Sequence, residues 1–255
     1  MADGLAYAEE FADLSIQLLQ ERHEQPTLER VVELAVETIE SSDYCSIAVR
    51  TGTEVETPAT NADVGRQADE LQYGLGEGPC LEAIRSSDAC IVDDLLLETR
   101  WPQWARSVAA SGIRSALSVR VQGPAGDALA SLNLYARQPR AFDDTDLALA
   151  TIFARHAGIA IHGAQQQNHL SAAIQSRQLI GAAQGILMQR FGLDLDQAFE
   201  LLRRYSQTYN VKLRQLAENL VRAGGIPAAT DDTGASRALS NSLGLTGDHQ
   251  LIEDS

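Results

Sequence analysis

The side chains best suited to chemistry in this sequence are its few cations, which gather toward the C-terminal end. Arg203 and Arg204 are followed by Lys212 and Arg214, with Ser206 and Asn210 between them and Tyr205 and Tyr209 interleaved. Guanidinium and ammonium groups at this density suit phosphate oxygens, and aromatic rings beside them suit stacking on unpaired bases. Arg190, with Arg177 before it, offers a second cationic position. The same pattern also fits a solvated face with the tyrosines in a core. Ser206 and Asn210 can cap a helix as readily as they can read a base edge. No nucleophile-elbow serine, P-loop or dinucleotide fingerprint occurs, and Gly74-Leu75-Gly76-Glu77-Gly78 reads as a loop because no Lys-Ser/Thr follows it. His156, His162 and His169 are spaced by six and seven residues, which is not the i, i+4 pair of a helical metal site. Cys45, Cys80 and Cys90 are odd in number and lack metal spacing, so they read as reduced, packed thiols. Cys80 is expected not to be an essential redox switch. Neither an enzyme, a metal nor a cofactor is expected.

The charge balance narrows the partner. Among 255 residues, 20 are basic and 35 acidic, for a net charge of -15, while 44% are hydrophobic and 22% charged. That is a globular composition, and its sign excludes a chain that coats nucleic acid along its whole surface. Residues 168–225 differ: Arg177, Arg190, Arg203, Arg204, Lys212, Arg214 and Arg222 face only Asp194, Asp196, Glu200 and Glu218. A module of net positive charge behind an acidic one predicts an anionic partner for the smaller part. The N-terminus lacks a signal-peptide pattern and no 18-residue apolar run for a membrane span is read, so a cytoplasmic protein with no membrane partner is expected.

Residues 1–167 read as mixed α and β. A helix is predicted through Leu14, Leu18 and Leu19, and a second through Leu28, Val31, Val32, Leu34, Ala35 and Ile39. Strands are predicted over Cys45–Arg50, Glu54–Thr60 and Ala89–Val92. Ser115–Val121 and Ala128–Ala136 alternate in period two around Gly123-Pro124-Ala125-Gly126, a hairpin. One row of this hairpin is apolar. The other carries Ser118, Arg120, Ser131, Asn133 and Tyr135 and is expected to open to solvent or a pocket. Asp143 or Asp144 can cap a long helix with a core stripe of Leu147, Ile152, Phe153, Ile159 and Ala160. Little breaks that helix before Phe191, and Leu170, Ile174, Gly181 and Gly185 give it a face for pairing with a second chain. Two further helices follow, one capped by Asp194 and Gln197 with Ala198, Leu202, Tyr205 and Tyr209 on one stripe. The last holds Leu213, Leu216, Ala217, Leu220 and Val221 and stops at Gly224-Gly225. Residues 226–255 show no firm periodicity and are expected to be disordered.

Gly74-Leu75-Gly76-Glu77-Gly78-Pro79-Cys80, the hairpin, and Phe142-Asp143-Asp144 opening a helix through Ile159-Ala160-Ile161 resemble a GAF domain over roughly residues 10 to 165. That resemblance implies an α+β fold, an antiparallel sheet flanked by helices, with a small-molecule pocket on one face. Ser118, Arg120, Ser131 and Asn133 become the pocket candidates. The family's cyclic-nucleotide signature is not intact, so the ligand is unknown. Ile180-Gly181-Ala182-Ala183-Gln184-Gly185-Ile186-Leu187-Met188-Gln189-Arg190-Phe191-Gly192, with Gln197–Ser206 and Asn210–Leu213, is similar to the ANTAR domain of transcription antitermination regulators. This second resemblance implies a small three-helix bundle at 168–225 that binds paired RNA hairpins competing with a terminator. Gln184 stands where the family commonly has a lysine.

Together these readings predict a signal-responsive, RNA-binding antitermination regulator. Its expected partners are tandem stem-loops in a transcript leader, an unknown small molecule and a second copy of the chain. Arg203, Arg204, Lys212, Arg214, Arg190, Gln184, Ser206 and Asn210 are the expected RNA-facing residues. The alternative is a sensor whose helical module contacts a protein partner.

Overall fold

The computed structural model describes residues 16–18, 20–21, 23–85 and 88–222. Leu18 of the opening helix is buried, whereas Leu14, Leu19, the Gly224-Gly225 stop and residues 226–255 lie outside the described residues. The chain divides into two compact units, Met1–His169 and Leu170–Ser255.

The first unit holds α1 (Glu24–Thr38), β1 (Tyr44–Thr51), β2 (Glu54–Thr60), α2 (Asp63–Leu75), α3 (Pro79–Arg85), β3 (Ala89–Val92), α4 (Pro102–Ala109), β4 (Ser115–Gln122) and β5 (Ala128–Ala136). The strands form one antiparallel sheet in the order β2-β1-β5-β4-β3. Period-two alternation gives the sheet two faces. Ile47 and Val49, with Leu117, Val119, Val121, Leu132 and Leu134, pack against Val31, Val32 and Ala35 of α1. They also pack against the start of α5 (Asp144–Phe191), where Asp143 Oδ1 accepts from the Thr145 and Asp146 N–H groups.

The buried stripe of α5 is Ala150, Phe153, Ala154, Ala157, Ala160 and Ile161. Ile152 and Ile159, expected in that stripe, are instead 42% and 51% exposed. Small residues bring the helix close to the sheet, and the larger isoleucines are excluded from the contact. At Gly158 the approach is closest, since a Cβ there would run into the Gln122 carbonyl. An 18-residue window of α5 reaches a mean hydropathy of 1.2, long and apolar enough to cross a membrane by length and composition, with 44% of it buried. This corrects the expectation of no such stretch, although much of its apolar content is the packing stripe.

The other sheet face is covered by α2, α3 and α4. Trp104, Ala105 and Val108 of α4 pack with Ala68, Val92, Ala116 and Tyr135. Neither α2 nor α4 is evident from apolar periodicity.

In the second unit, the end of α5, α6 (Leu195–Thr208) and α7 (Leu213–Arg222) enclose a core of Ala183, Leu187, Ala198, Leu202, Tyr205, Leu216, Ala217 and Leu220. The expected capping box is present: Asp194 Oδ1 accepts from the Gln197 N–H, and Gln197 Oε1 accepts from the Asp194 N–H.

Candidate functional sites

Across the covered face of the sheet, Ser46, Asn133, Ser118 and Cys90 stand abreast on β1, β5, β4 and β3. Ser118, Ser131 and Asn133 are fully buried beneath the helices, so the polar row expected to open to solvent or a pocket is closed over. Arg120 is turned to the rim. Its Nε donates to the Ala83 carbonyl at 2.7 Å and its Nη1 lies 3.6 Å from Asp88. It thereby holds the carbonyl end of α3 to the sheet.

The polar row gathers on Asp69, which α2 presents to the sheet and which is fully buried. Its Oδ2 accepts from Ser46 Oγ at 2.6 Å and Thr57 Oγ1 at 2.8 Å, while Oδ1 accepts from Asn133 Nδ2 at 3.0 Å and Tyr135 OH at 2.5 Å. All four donors are neutral. They favour the carboxylate, but loss of hydration outweighs them and pushes the Asp69 carboxyl up to about 6. Thr57 has one hydroxyl hydrogen and gives it to Asp69. Tyr73 OH, 2.7 Å from Thr57 Oγ1, is therefore the donor in that pair. Gln72 joins the layers, donating from Nε2 to Tyr135 OH and accepting at Oε1 from the Cys80 N–H. Gly78, at φ 141°, packs so closely on the Gln72 side chain that a Cβ would collide with it. Gly76-Glu77-Gly78 is thus a turn built around Gln72, whereas Gly74 and Leu75, expected in the same loop, close α2.

Cys80 is fully buried, and burial pushes its thiol well above the ordinary cysteine range. A protonated, enclosed thiol is a poor nucleophile. Among the described residues Ser118 Oγ is the buried side-chain polar atom without a hydrogen-bond partner. Beside this layer lies a cleft of about 510 Å³ whose lining includes Glu54, Glu56, Tyr73, Leu81 and Arg85. The sequence pattern identified the strand half of this site and missed Asp69, Gln72, Thr57 and Ser46. The available signal was the polar row itself, because hydroxyls and an amide on a sheet demand polar partners in the layer covering them.

In the second unit Arg203 and Arg204 are exposed on α6, with Arg203 paired to Glu200 at 2.8 Å. Lys212, in the connection just before α7, and Arg214, in the first turn of α7, are exposed. Among the described residues no ion pair holds Arg204, Lys212 or Arg214. Arg214 lines a cleft of about 510 Å³ with Gln175, Gln178 and Glu218. Tyr205 is core, and Tyr209, 42% exposed, stacks on it with ring centroids 4.4 Å apart. Three expected RNA-facing residues have structural engagements. Ser206 Oγ donates to the Val211 carbonyl at 2.6 Å, Asn210 takes the left-handed conformation at φ 51°, and Gln184 Nε2 donates to the Leu195 carbonyl at 3.1 Å. Ser206 and Asn210 shape the α6–α7 turn, and Gln184 ties α5 to the start of α6. Arg190 is exposed. Leu170 and Ile174 are 62% and 47% exposed, and Gly181 and Gly185 open onto free space.

Family models match twice: a GAF domain over residues 21–162 and an ANTAR domain over residues 168–221. No curated protein matches the chain. Among solved structures, the phytochrome photosensory core module of Stigmatella aurantiaca is similar with a TM-score of 0.54 at 12% identity, covering 83% of this chain and 46% of that one. A bacteriophytochrome from R. palustris gives 0.53 at 9%, with 77% and 46% covered, so the chain spans about half the length of either phytochrome. Free methionine-R-sulfoxide reductase from Neisseria meningitidis gives 0.50 at 14%, with 63% and 90% covered. These likenesses are of fold. The GAF model spans more than half of the sequence, and the chain accordingly belongs to the GAF domain family, with an ANTAR domain following the GAF domain.

Proposed function

We propose that this protein is a signal-responsive regulator of transcription termination. The GAF domain senses a small molecule or other signal, and the ANTAR domain binds paired RNA hairpins in a transcript leader, preventing the terminator from forming. The observation that carries the reading is the ANTAR match on a unit whose basic residues include Arg204, Lys212 and Arg214, exposed and without an ion pair among the described residues. Cations left uncommitted on a chain of net charge -15 are suited to phosphates, while the acidic remainder opposes indiscriminate binding. Tyr209 adds an exposed ring beside them for an unpaired base.

Two hairpins call for two modules, which a homodimer supplies at matched spacing. The exposed Leu170 and Ile174 on α5 are the surface assigned to that pairing. Electrophoretic retardation with a tandem-hairpin RNA tests the reading. Tight binding that weakens when one hairpin is deleted, or when either loop is mutated, is the expected outcome. Equal affinity for any duplex of the same length, or none at all, would shift the ANTAR module to a protein partner.

A further inference from the structure

The centre of a sheet face is ordinarily filled with apolar side chains, because burying polar groups there gains nothing over hydrating them. Here it holds Asp69, Ser46, Asn133, Ser118 and Ser131, all fully buried. A carboxylate in such a place is normally matched by a buried cation. Among the described residues, no element facing Asp69 brings a buried cation to it. The titratable groups acting on it are Cys45 of β1, Tyr73 of α2, Cys80 of α3 and Tyr135 of β5, which are neutral or, on ionising, negative. Arg66 of α2 gives its guanidinium to the Thr57 carbonyl, and Arg120 of β4 gives its own to Ala83 and Asp88.

Resting on the reading of the GAF domain as a ligand sensor, we propose that this polar layer and the cleft at Tyr73 are its ligand site, and that the ligand is a small organic cation carrying an ammonium group. Three observations converge. The buried carboxylate is met by neutral donors alone, so an ammonium entering past Tyr73 replaces a neutral donor on Oδ2 with a charged one. Ser118 Oγ, fully buried and unpartnered among the described residues, is held on the same polar face and supplies an unused hydrogen-bonding atom. The cleft next to the layer, about 510 Å³ in volume, carries Glu54 and Glu56 against the single Arg85, with the Tyr73 ring in its wall. Carboxylates around an aromatic ring suit ammonium ligands, and the volume suits a small metabolite. An anionic ligand would sit against Asp69 in a dry environment and be repelled.

Calorimetric titration of the full chain with n-butylammonium, butyramide, butyrate and inorganic phosphate tests this. Butylammonium is expected to bind and the two anions are not. Asp69→Asn should weaken butylammonium about tenfold or more, the worth of one charge-assisted hydrogen bond. Circular dichroism checks that the variant folds. A second measurement needs no variant: wild-type affinity for butylammonium should fall as pH drops through about 6, where Asp69 takes up a proton. Affinity that is flat between pH 7 and 5, binding that survives in folded Asp69→Asn, or binding of butyrate or phosphate at this site overturns the proposal. Binding of butyramide alone also overturns it while leaving the sensor reading intact. The sensor reading itself fails if the low-molecular-weight fraction of a host-cell extract leaves both melting and RNA affinity unchanged.

Discussion

An aspartate buried among neutral donors resists ionisation, because hydroxyls and an amide return only part of the hydration that a carboxylate loses. Asp69 shows the balance: desolvation raises its pKa and four hydrogen bonds offset only part of the rise, leaving it at about 6 against an ordinary 3.8. The fold therefore holds this proton more tightly than the unfolded chain does. Its contribution favours folding fully below about pH 3.8 and is lost as pH rises through 6. The rise from 3.8 to about 6 corresponds to on the order of 3 kcal/mol. Urea denaturation across pH 4 to 7 should show wild type losing stability relative to Asp69→Asn as pH rises. Parallel profiles would mean that Asp69 does not titrate in this range. Cys80 yields a contrasting prediction at the same scale. Its enclosed thiol should leave RNA affinity unchanged by millimolar peroxide, in wild type and in Cys80→Ser alike. A peroxide effect that disappears in Cys80→Ser would make this cysteine a switch.

Elements differ in how far local pattern reveals them. The hairpin of β4 and β5 was legible because alternation and a glycine-proline turn agree, and β2 and β3 because β-rich runs are bounded by turn residues. Helix α2 was not, since Asp69 and Gln72 occupy its inward face and make it read as polar. Helix α4 is short, and its first N–H groups are satisfied by Glu77 Oε1, which accepts from Gln103 and Trp104 across a long sequence separation. The strand half of the candidate ligand site was therefore visible and the helix half was hidden. On α5, period alone could not decide that Ile152 and Ile159 face outward, because close packing on the sheet selects alanine and glycine. That packing makes Gly158→Ala a sharp test. The added methyl meets the Gln122 backbone, and a loss of about 1–3 kcal/mol is expected from the denaturation midpoint. A neutral effect would show that the helix can withdraw freely. Further along α5, Leu170→Glu with Ile174→Glu should leave the circular dichroism spectrum intact, since both are exposed, and weaken self-association in sedimentation. Unchanged sedimentation would remove this face from the proposed dimer.

On the scale of the whole molecule, charge is partitioned: a net -15 chain carries its ANTAR domain on a basic segment, with helix Asp144–Phe191 belonging to both compact units. Under the proposed function, Arg203, Arg204, Lys212 and Arg214 meet RNA phosphates. Because all four side chains are exposed, alanine substitutions should change stability by less than about 0.5 kcal/mol. Arg203 must exchange an exposed Glu200 pair for RNA, an exchange of small cost because such pairs contribute little. The most direct measurement is the affinity of a tandem-hairpin RNA as a function of salt, for wild type and the four single alanine variants. Each variant should bind more weakly to every hairpin sequence, with a salt dependence shallower by roughly one unit of slope per lost contact per chain. Four variants with wild-type affinity and wild-type slopes would rule out phosphate contact by these residues and leave the cluster a solvated face.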